Sequence, residues 1–235
     1  MKNCETKRGF TLLELLIVIA IIAVLAVIII IVLNPAETLK KARDVQRMSD
    51  VSTLKTALGL YVTTISNPKL DNTSQSNTYC VGGTGQDTLY ISYPTDHADG
   101  AISDVPPTGF GAAAADWGDV STANLFNNSG TGWLPVPFTD MTGGSPISNL
   151  PVDPINKLIY GSSTLAAVNA DAAIYRYGCN TGASGSNRYT FEISSTLESE
   201  AYTVTDDLRR KDGGNQLLYY EIGTNLSILP SSNDH

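Results

Sequence analysis

The residues from Phe10 to Leu33 form an apolar run that contains a single ionisable side chain, the carboxylate of Glu14. Apart from Glu14, only Thr11 in this run is polar. A carboxylate at the centre of a membrane helix costs about 2.5–3.5 kcal/mol on insertion scales, so it needs a compensating partner. A buried carboxylate favours an arrangement that supplies an opposite charge. Glu14 is therefore expected to gain an opposite charge in some arrangement of the protein, and extension of its side chain to the lipid headgroups is the alternative.

Other residues that could perform chemistry are few. The chain contains two histidines, His97 and His235. Asp96, His97 and Asp99 could gather around a metal, but two carboxylates and one imidazole on a loop are more often a solvated turn. The segments GGTGQD and GASGSN lack a phosphate-loop or dinucleotide-binding pattern. We therefore expect that the protein is not an enzyme, and an exported enzyme tethered to the membrane is the weaker alternative.

The apolar run must be positioned by a helix, and its length fits a membrane. Residues 10–33 would span about 36 Å as a helix, which exceeds the roughly 30 Å hydrocarbon core of a bilayer. Lys2, Lys7 and Arg8 precede the run, so the positive-inside rule places the N-terminus in the cytoplasm and the remainder outside. A removed signal peptide is the alternative, but its core is usually 7–15 residues and is followed by a small-x-small cleavage site.

A second helical segment is predicted over residues 34–66. Pro35 disfavours helical geometry at Asn34, so a kink or local melting is expected there within one long helix over about 10–66. Apolar residues then recur at steps of three and four: Met48, Val51, Leu54, Leu58, Tyr61, Val62 and Ile65. The charged residues are expected on the other faces: Lys40, Lys41, Arg43, Asp44, Arg47, Asp50 and Lys55. This half must bury its apolar stripe against another element.

The stretch KRGFTLLELLIVIAIIAVL resembles the N-terminus of type IV pilins and of the pseudopilins of type II secretion systems. The resemblance implies that residues 1–9 are a leader, cut between Gly9 and Phe10 by a prepilin peptidase that then methylates the new amine. Glu14 is the fifth residue after that cut. In this family it would pair with the N-terminal amine of a neighbouring subunit, so assembly would relieve a carboxylate that is costly in a lone subunit.

The same resemblance implies a function, partners and a location. The chain would be a structural subunit that self-assembles into a helical homo-polymer, served by an inner-membrane assembly platform and its ATPase. It would be a single-pass membrane protein in lipid before assembly, and an extracellular or periplasmic filament afterwards. A major pseudopilin of a secretion system and a membrane-tethered adhesin outside a filament remain alternatives. No nucleic acid is required, and the formal net charge of −8 does not favour one.

Residues 67–235 are expected to form an exported, β-rich domain. The predicted strands are 87–93, 172–179, 188–196 and 216–223, and RYTFEISST alternates as a half-buried strand would. Gly213 and Gly214 indicate a turn before the last strand. An antiparallel meander packed on the stripe of the second helix gives an α+β fold, which the resemblance also implies (the pilin fold). Residues 94–150 are expected to pack on the sheet through Trp117, Trp133 and Phe138, or to be a variable displayed region.

No cofactor is expected, with one open alternative. In some pseudopilins a loop next to an Asp-Pro turn binds calcium, and Asp153 and Asn156 lie in the corresponding loop here. Because relatives have Asp-Pro-Trp-Gly where this chain has Asp153-Pro154-Ile155-Asn156, a structural turn capped by Asp153 is preferred to a calcium site.

Three cysteines are present, and Cys4 would leave with the leader. The remaining two, Cys80 and Cys179, would form one disulfide in an oxidising compartment. Two free buried thiols are the alternative.

Overall fold

The computed structural model describes residues 9–72, 77–81, 88–95, 116–118, 120–160, 166–167, 172–181 and 189–229. The chain forms two compact units, Met1–Lys40 and Lys41–His235. Some residues used in the predictions above lie outside the described residues: Lys2, Cys4, Lys7, Arg8, Asp96, His97, Asp99 and His235.

Two helices replace the single long helix predicted over 10–66. Helix α1 is Leu12–Leu33 and helix α2 is Pro35–Thr64. Between them Asn34 adopts a left-handed conformation with φ 36° and ψ 74°. Pro35 is the first residue of α2, where its missing N–H is not needed and its fixed φ suits the helix. The prediction of a break at Asn34 is therefore confirmed, and the break separates two helices instead of bending one.

One face of α2 is buried, as its apolar stripe predicts, but two charged residues were assigned to the wrong face. Asp44 and Arg47 are fully buried, and Asp50 is half-buried, with its carboxylate accepting a hydrogen bond from the Tyr175 hydroxyl at 2.9 Å. Asp44 and Arg47 continue the spacing of three and four residues that Val51 and Leu54 follow. Their charge suggested a solvated face, but the stripe period placed them inside.

The strands are β1 Thr88–Ile91, β2 Asp116–Trp117, β3 Ile159–Tyr160, β4 Ala166–Ala167, β5 Tyr175–Asn180, β6 Thr190–Thr196 and β7 Tyr219–Gly223. Five of them form a sheet in the order β2-β1-β5-β6-β7. Strand β2 pairs in parallel with β1, and the other neighbours in the sheet are antiparallel. Strands β3 and β4 form a separate antiparallel pair. The α+β architecture and the four main strands are confirmed.

The sheet is covered on both faces. Tyr175, Tyr177 and Phe191 belong to the same core cluster as the buried side of α2. On the other face, a second cluster joins Ile91 of β1 to Ile228 and other residues of the chain beyond β7. Of the β6 side chains that were predicted to face solvent, Glu192 and Ser194 are consequently buried and Thr190 is half-buried. The prediction of a half-buried strand at β6 is therefore wrong, because a second layer covers it.

Residues 120–150 contribute to the core instead of lying outside it. Trp133 and Phe138 are fully buried. The Trp133 indole donates a hydrogen bond to the carbonyl of Pro151 at 2.8 Å, and the Phe138 ring meets the Tyr61 ring edge-on with centroids 5.8 Å apart. Packing through these two aromatics is confirmed, whereas the side chain of Trp117 lies outside the described residues.

Candidate functional site

Helix α1 begins with a capping box formed by Thr11 and Glu14. The Thr11 hydroxyl accepts a hydrogen bond from the backbone N–H of Glu14 at 3.2 Å. In return, one carboxylate oxygen of Glu14 accepts from the backbone N–H and from the hydroxyl of Thr11, both at 2.9 Å. The pattern Thr-x-x-Glu in front of an apolar run produces this reciprocal arrangement, which satisfies two amides that a helix start leaves without partners.

The capping box changes the expected energetics of Glu14. In the lone chain its carboxylate already receives two hydrogen bonds from Thr11. Its charge is thereby held at the positive end of the helix dipole, which favours an anion. The carboxylate is therefore partly compensated before any second copy arrives, in contrast to the expectation that only assembly relieves it. Thr11 was not identified as a functional residue from the sequence, although Thr-x-x-Glu was its signal.

Every described side chain of α1 is exposed in the single chain. The segment Leu12–Ile30 is long and apolar enough to cross a membrane. Its flanking residues are also largely exposed: Phe10 is 82% exposed and Val32 is 75% exposed. A helix that is apolar all round and unburied requires a surrounding of lipid or of other apolar helices. The helix alone is thus an incomplete structure in water.

Gly9 and Phe10 precede the helix in non-helical backbone, and both are exposed. The first hydrogen bond of the helical ladder runs from the Leu15 N–H to the Thr11 carbonyl at 3.3 Å. The Gly9–Phe10 peptide bond therefore lies outside the helix, one residue before its N-cap. At the other end, Pro35 follows the left-handed Asn34 that ends α1.

Arg47 is the centre of a buried ionic cluster, which the sequence did not reveal. Its guanidinium binds Asp153 through two N–H groups, at 2.6 and 2.9 Å, and binds Asp44 at 2.8 Å. Glu198 contacts Arg47 as well, and it also accepts from Arg43 at 2.7 Å. Burial opposes the charge of Arg47, but hydrogen bonds and attraction from Asp153 and Glu198 raise the guanidinium pKa overall. The cluster therefore holds a charged arginine in the interior.

The cluster fastens α2 to two distant segments of the chain. Besides binding Arg47, the Asp44 carboxylate accepts from the backbone N–H groups of Glu198 and Ser199, the latter at 2.8 Å. Asp153 also accepts from the N–H of Ile155 at 2.8 Å. Each buried carboxylate thus has both a cation and backbone donors, which is the arrangement that makes a buried charge tolerable.

The loop predicted as a structural turn or a calcium site has its acidic group engaged elsewhere. Both Asp153 carboxylate oxygens accept from Arg47, and one of them also caps the turn at Ile155. Asn156 has a left-handed backbone with φ 46°, and its side-chain oxygen accepts from the Ser92 hydroxyl at 3.2 Å. These contacts favour the structural turn, because a metal ion would have to displace the Arg47 guanidinium. Within the described residues no group of three or more His, Cys, Asp or Glu side chains could hold a metal ion.

Cys80 and Cys179 are joined by a disulfide with an S–S distance of 1.99 Å. Cys179 lies on β5 and both cysteines are fully buried in the main core. The bond links the segment that precedes β1 to the centre of the sheet across a separation of 99 residues. Of the two alternatives that the sequence leaves open, the structure contains the bridge.

The chain carries the prokaryotic N-terminal methylation motif, which a family model matches at residues 6–30. This motif is the signature of type IV prepilin-like proteins. It supports a pilin-like or pseudopilin precursor that is anchored in the membrane, is a substrate of a prepilin peptidase and assembles into filaments. Such proteins are structural and not enzymes. No curated protein matches the chain. No solved structure matches it either.

Proposed function

We propose that this chain is a structural subunit of a type IV pilus-like filament, made as a prepilin that is cut after Gly9 and assembled through α1. The observation that carries the proposal is the exposure of α1 within the matched motif, with Glu14 as the one ionisable side chain among residues 10–33. Lipid and a bundle of identical helices are both apolar surroundings for such a helix. The helix can therefore move from lipid into a bundle of identical helices with little change in hydrophobic free energy.

The direction and register of assembly come from Glu14. Cleavage after Gly9 creates a positively charged amine on Phe10, four residues before Glu14. The amine of one copy can approach the Glu14 carboxylate of a neighbour, and attraction between opposite charges is strong in an apolar surrounding. Because Thr11 already holds the carboxylate at the helix start, little ordering of the side chain is needed when the amine arrives.

In this proposal the precursor has a cytoplasmic N-terminus and spans the membrane once, and the unit formed by residues 41–235 is exported. An inner-membrane platform and its ATPase extract the subunit into the filament outside the membrane. No cofactor takes part, and the loop at Asp153 is a structural turn. The size of the exported unit favours a major subunit, and we prefer a pilus to a secretion pseudopilus.

The experiment shears cells, sediments the filaments and determines the N-terminus of the chain by mass spectrometry. We expect methylated Phe10 as the first residue. Glu14→Ala should leave membrane insertion intact and abolish filaments, because it removes the partner of the amine. Glu37→Ala is the matched control, since Glu37 is also an acid in the first turn of a helix but lies outside the apolar run. Uncut chain in membranes, or normal filaments from Glu14→Ala, would contradict the proposal.

A further inference from the structure

We infer that Thr11 is a positioning residue for maturation. Its capping box fixes Thr11 as the N-cap of α1, so that the helix begins after the Gly9–Phe10 bond and this bond stays accessible to the peptidase. The inference rests on the proposed function, since it concerns cleavage after Gly9. Hydrolysis of this bond adds the hydroxyl of water to the Gly9 carbonyl carbon and a proton to the Phe10 nitrogen. A peptidase must therefore reach the Gly9 carbonyl.

A helix that continued past Thr11 would bury this carbonyl in its own hydrogen bonds. In an α-helix each N–H donates to the carbonyl four residues earlier. The Leu13 N–H would then bind the Gly9 carbonyl, and the Glu14 N–H would bind the Phe10 carbonyl. The scissile peptide would lie within the helix, with its carbonyl engaged and its backbone unable to extend.

The capping box takes one of these two donors, the Glu14 N–H, and it also takes the Thr11 N–H, which a longer helix would need. The Glu14 N–H is bound by the Thr11 hydroxyl at 3.2 Å, so it does not require the Phe10 carbonyl. The Thr11 N–H is bound by the Glu14 carboxylate at 2.9 Å, so it does not require the carbonyl of Lys7. Near lipid, an amide without a partner is expensive, so the loss of either acceptor would draw the preceding residues into the helix.

The backbone of Thr11 agrees with this role. Its φ of −80° and ψ of 149° are extended, which is the usual conformation of an N-cap residue. Gly9 and Phe10 continue outside the helix, and Phe10 is 82% exposed. Glu14 thus serves at two stages: it helps to fix the helix start in the precursor, and in the filament it faces the amine.

The test uses the full-length chain in phospholipid vesicles with a prepilin peptidase, and follows the loss of the leader by mass spectrometry. Thr11→Val keeps the shape of the side chain and removes the hydroxyl. It should slow the initial cleavage about fivefold, the factor by which a typical N-cap shifts a helix equilibrium. Thr11→Ser should restore the rate, because serine is an equally good cap. Thr53→Val is the matched control, since that exposed hydroxyl donates to the Ser49 carbonyl within α2.

A second measurement separates the helix start from direct recognition of the hydroxyl. The Cα chemical shifts of Gly9 and Phe10 in micelles should move toward helical values in Thr11→Val and stay extended in Thr11→Ser. Cleavage of Thr11→Val at the unaltered rate would overturn the inference, and so would slow cleavage with unchanged shifts. If the unaltered chain is not cut after Gly9 at all, the proposed function itself fails.

Discussion

Replacing Arg47 by Met tests whether the buried ionic cluster stabilises the unit formed by residues 41–235. The substitution keeps an unbranched side chain on α2 but removes the cation that binds Asp44, Asp153 and Glu198. Asp44 and Asp153 keep their backbone donors, yet their charges lose the buried partner. Because Arg47 and both aspartates are almost fully buried, water cannot replace the guanidinium.

Breaking a buried ion pair by removing one partner costs about 3–5 kcal/mol. Domains of this kind are stable by only about 5–15 kcal/mol, so the loss is a large fraction of the total. For a domain of 150–250 residues each kcal/mol corresponds to about 2–4 °C, so the midpoint should fall by about 6–20 °C. The double variant Arg47→Met/Asp153→Asn should recover part of the loss, because it removes one of the stranded charges.

The measurement is thermal unfolding of the full-length chain in detergent, followed by near-ultraviolet circular dichroism of the buried aromatics such as Trp133. Arg43→Met is the matched control, since Arg43 binds the same Glu198 but its side chain is 31% exposed. Such a pair is worth about 1 kcal/mol or less. Equal midpoints for the two single variants would refute the reasoning that burial makes Arg47 decisive.

Two further predictions concern the sheet. Replacing both Cys80 and Cys179 by Ser should lower the free energy of unfolding by about 4–5 kcal/mol, because the bridge closes a loop of about 100 residues in the unfolded chain; denaturant titration measures this, and an unchanged midpoint would contradict it. Burial, together with the neighbouring Glu221 carboxyl group, raises the pKa of Glu192 to about 9, so its stabilising contribution is complete below about pH 4.5 and is lost as the pH rises through about 9. Glu192→Gln should reduce the fall in stability between pH 6 and 9, which for one proton reaches about 1.4 kcal/mol per pH unit, whereas an identical slope in the variant would argue against the buried protonated acid.

The regular elements could be predicted from the sequence because their signals are local. The apolar run predicted α1, Pro35 predicted the break, alternation located β6, and the turn at Gly213 and Gly214 indicated where β7 follows. The burial of Asp44 and Arg47 could have been predicted in the same way. Both precede Val51 at the steps of three and four residues that define the buried stripe of α2. The capping box was equally local, because Thr11 and Glu14 are three residues apart.

The partners of these residues could not be predicted, because they are distant in sequence. Asp153 lies 106 residues from Arg47, and Glu198 lies 154 residues from Asp44. No periodicity relates such positions, and many pairings of opposite charge were equally plausible. The burial of Glu192 has the same origin, since the layer that covers it comes from residues beyond β7.

The unit 41–235 buries its acids in two chemically different ways, and the difference determines its response to pH. Glu198 is held charged: burial raises its pKa, but Arg43 and Arg47 lower it overall, so its contribution is present above about pH 4.5 and is lost in acid. Glu192 is held protonated: burial and the adjacent Glu221 raise its pKa, and they outweigh the N–H groups of Ile228 and Leu229, which donate to one of its carboxyl oxygens at 2.8 and 2.9 Å and lower the pKa.

Acid therefore weakens the ionic cluster around Arg47 on α2, and base weakens the face of the sheet that Ile228 and Leu229 cover. Because Glu192 begins to lose its contribution above about pH 4.5, these two groups together place greatest stability on the acidic side of neutrality. Acid and base also destabilise different parts of the unit. Protonation of Glu198 loosens the attachment of α2, whereas ionisation of Glu192 beside Glu221 puts two like charges under the segment at Ile228 and Leu229. Low pH therefore weakens the attachment of α2, and high pH weakens the layer at Ile228 and Leu229 that covers the sheet.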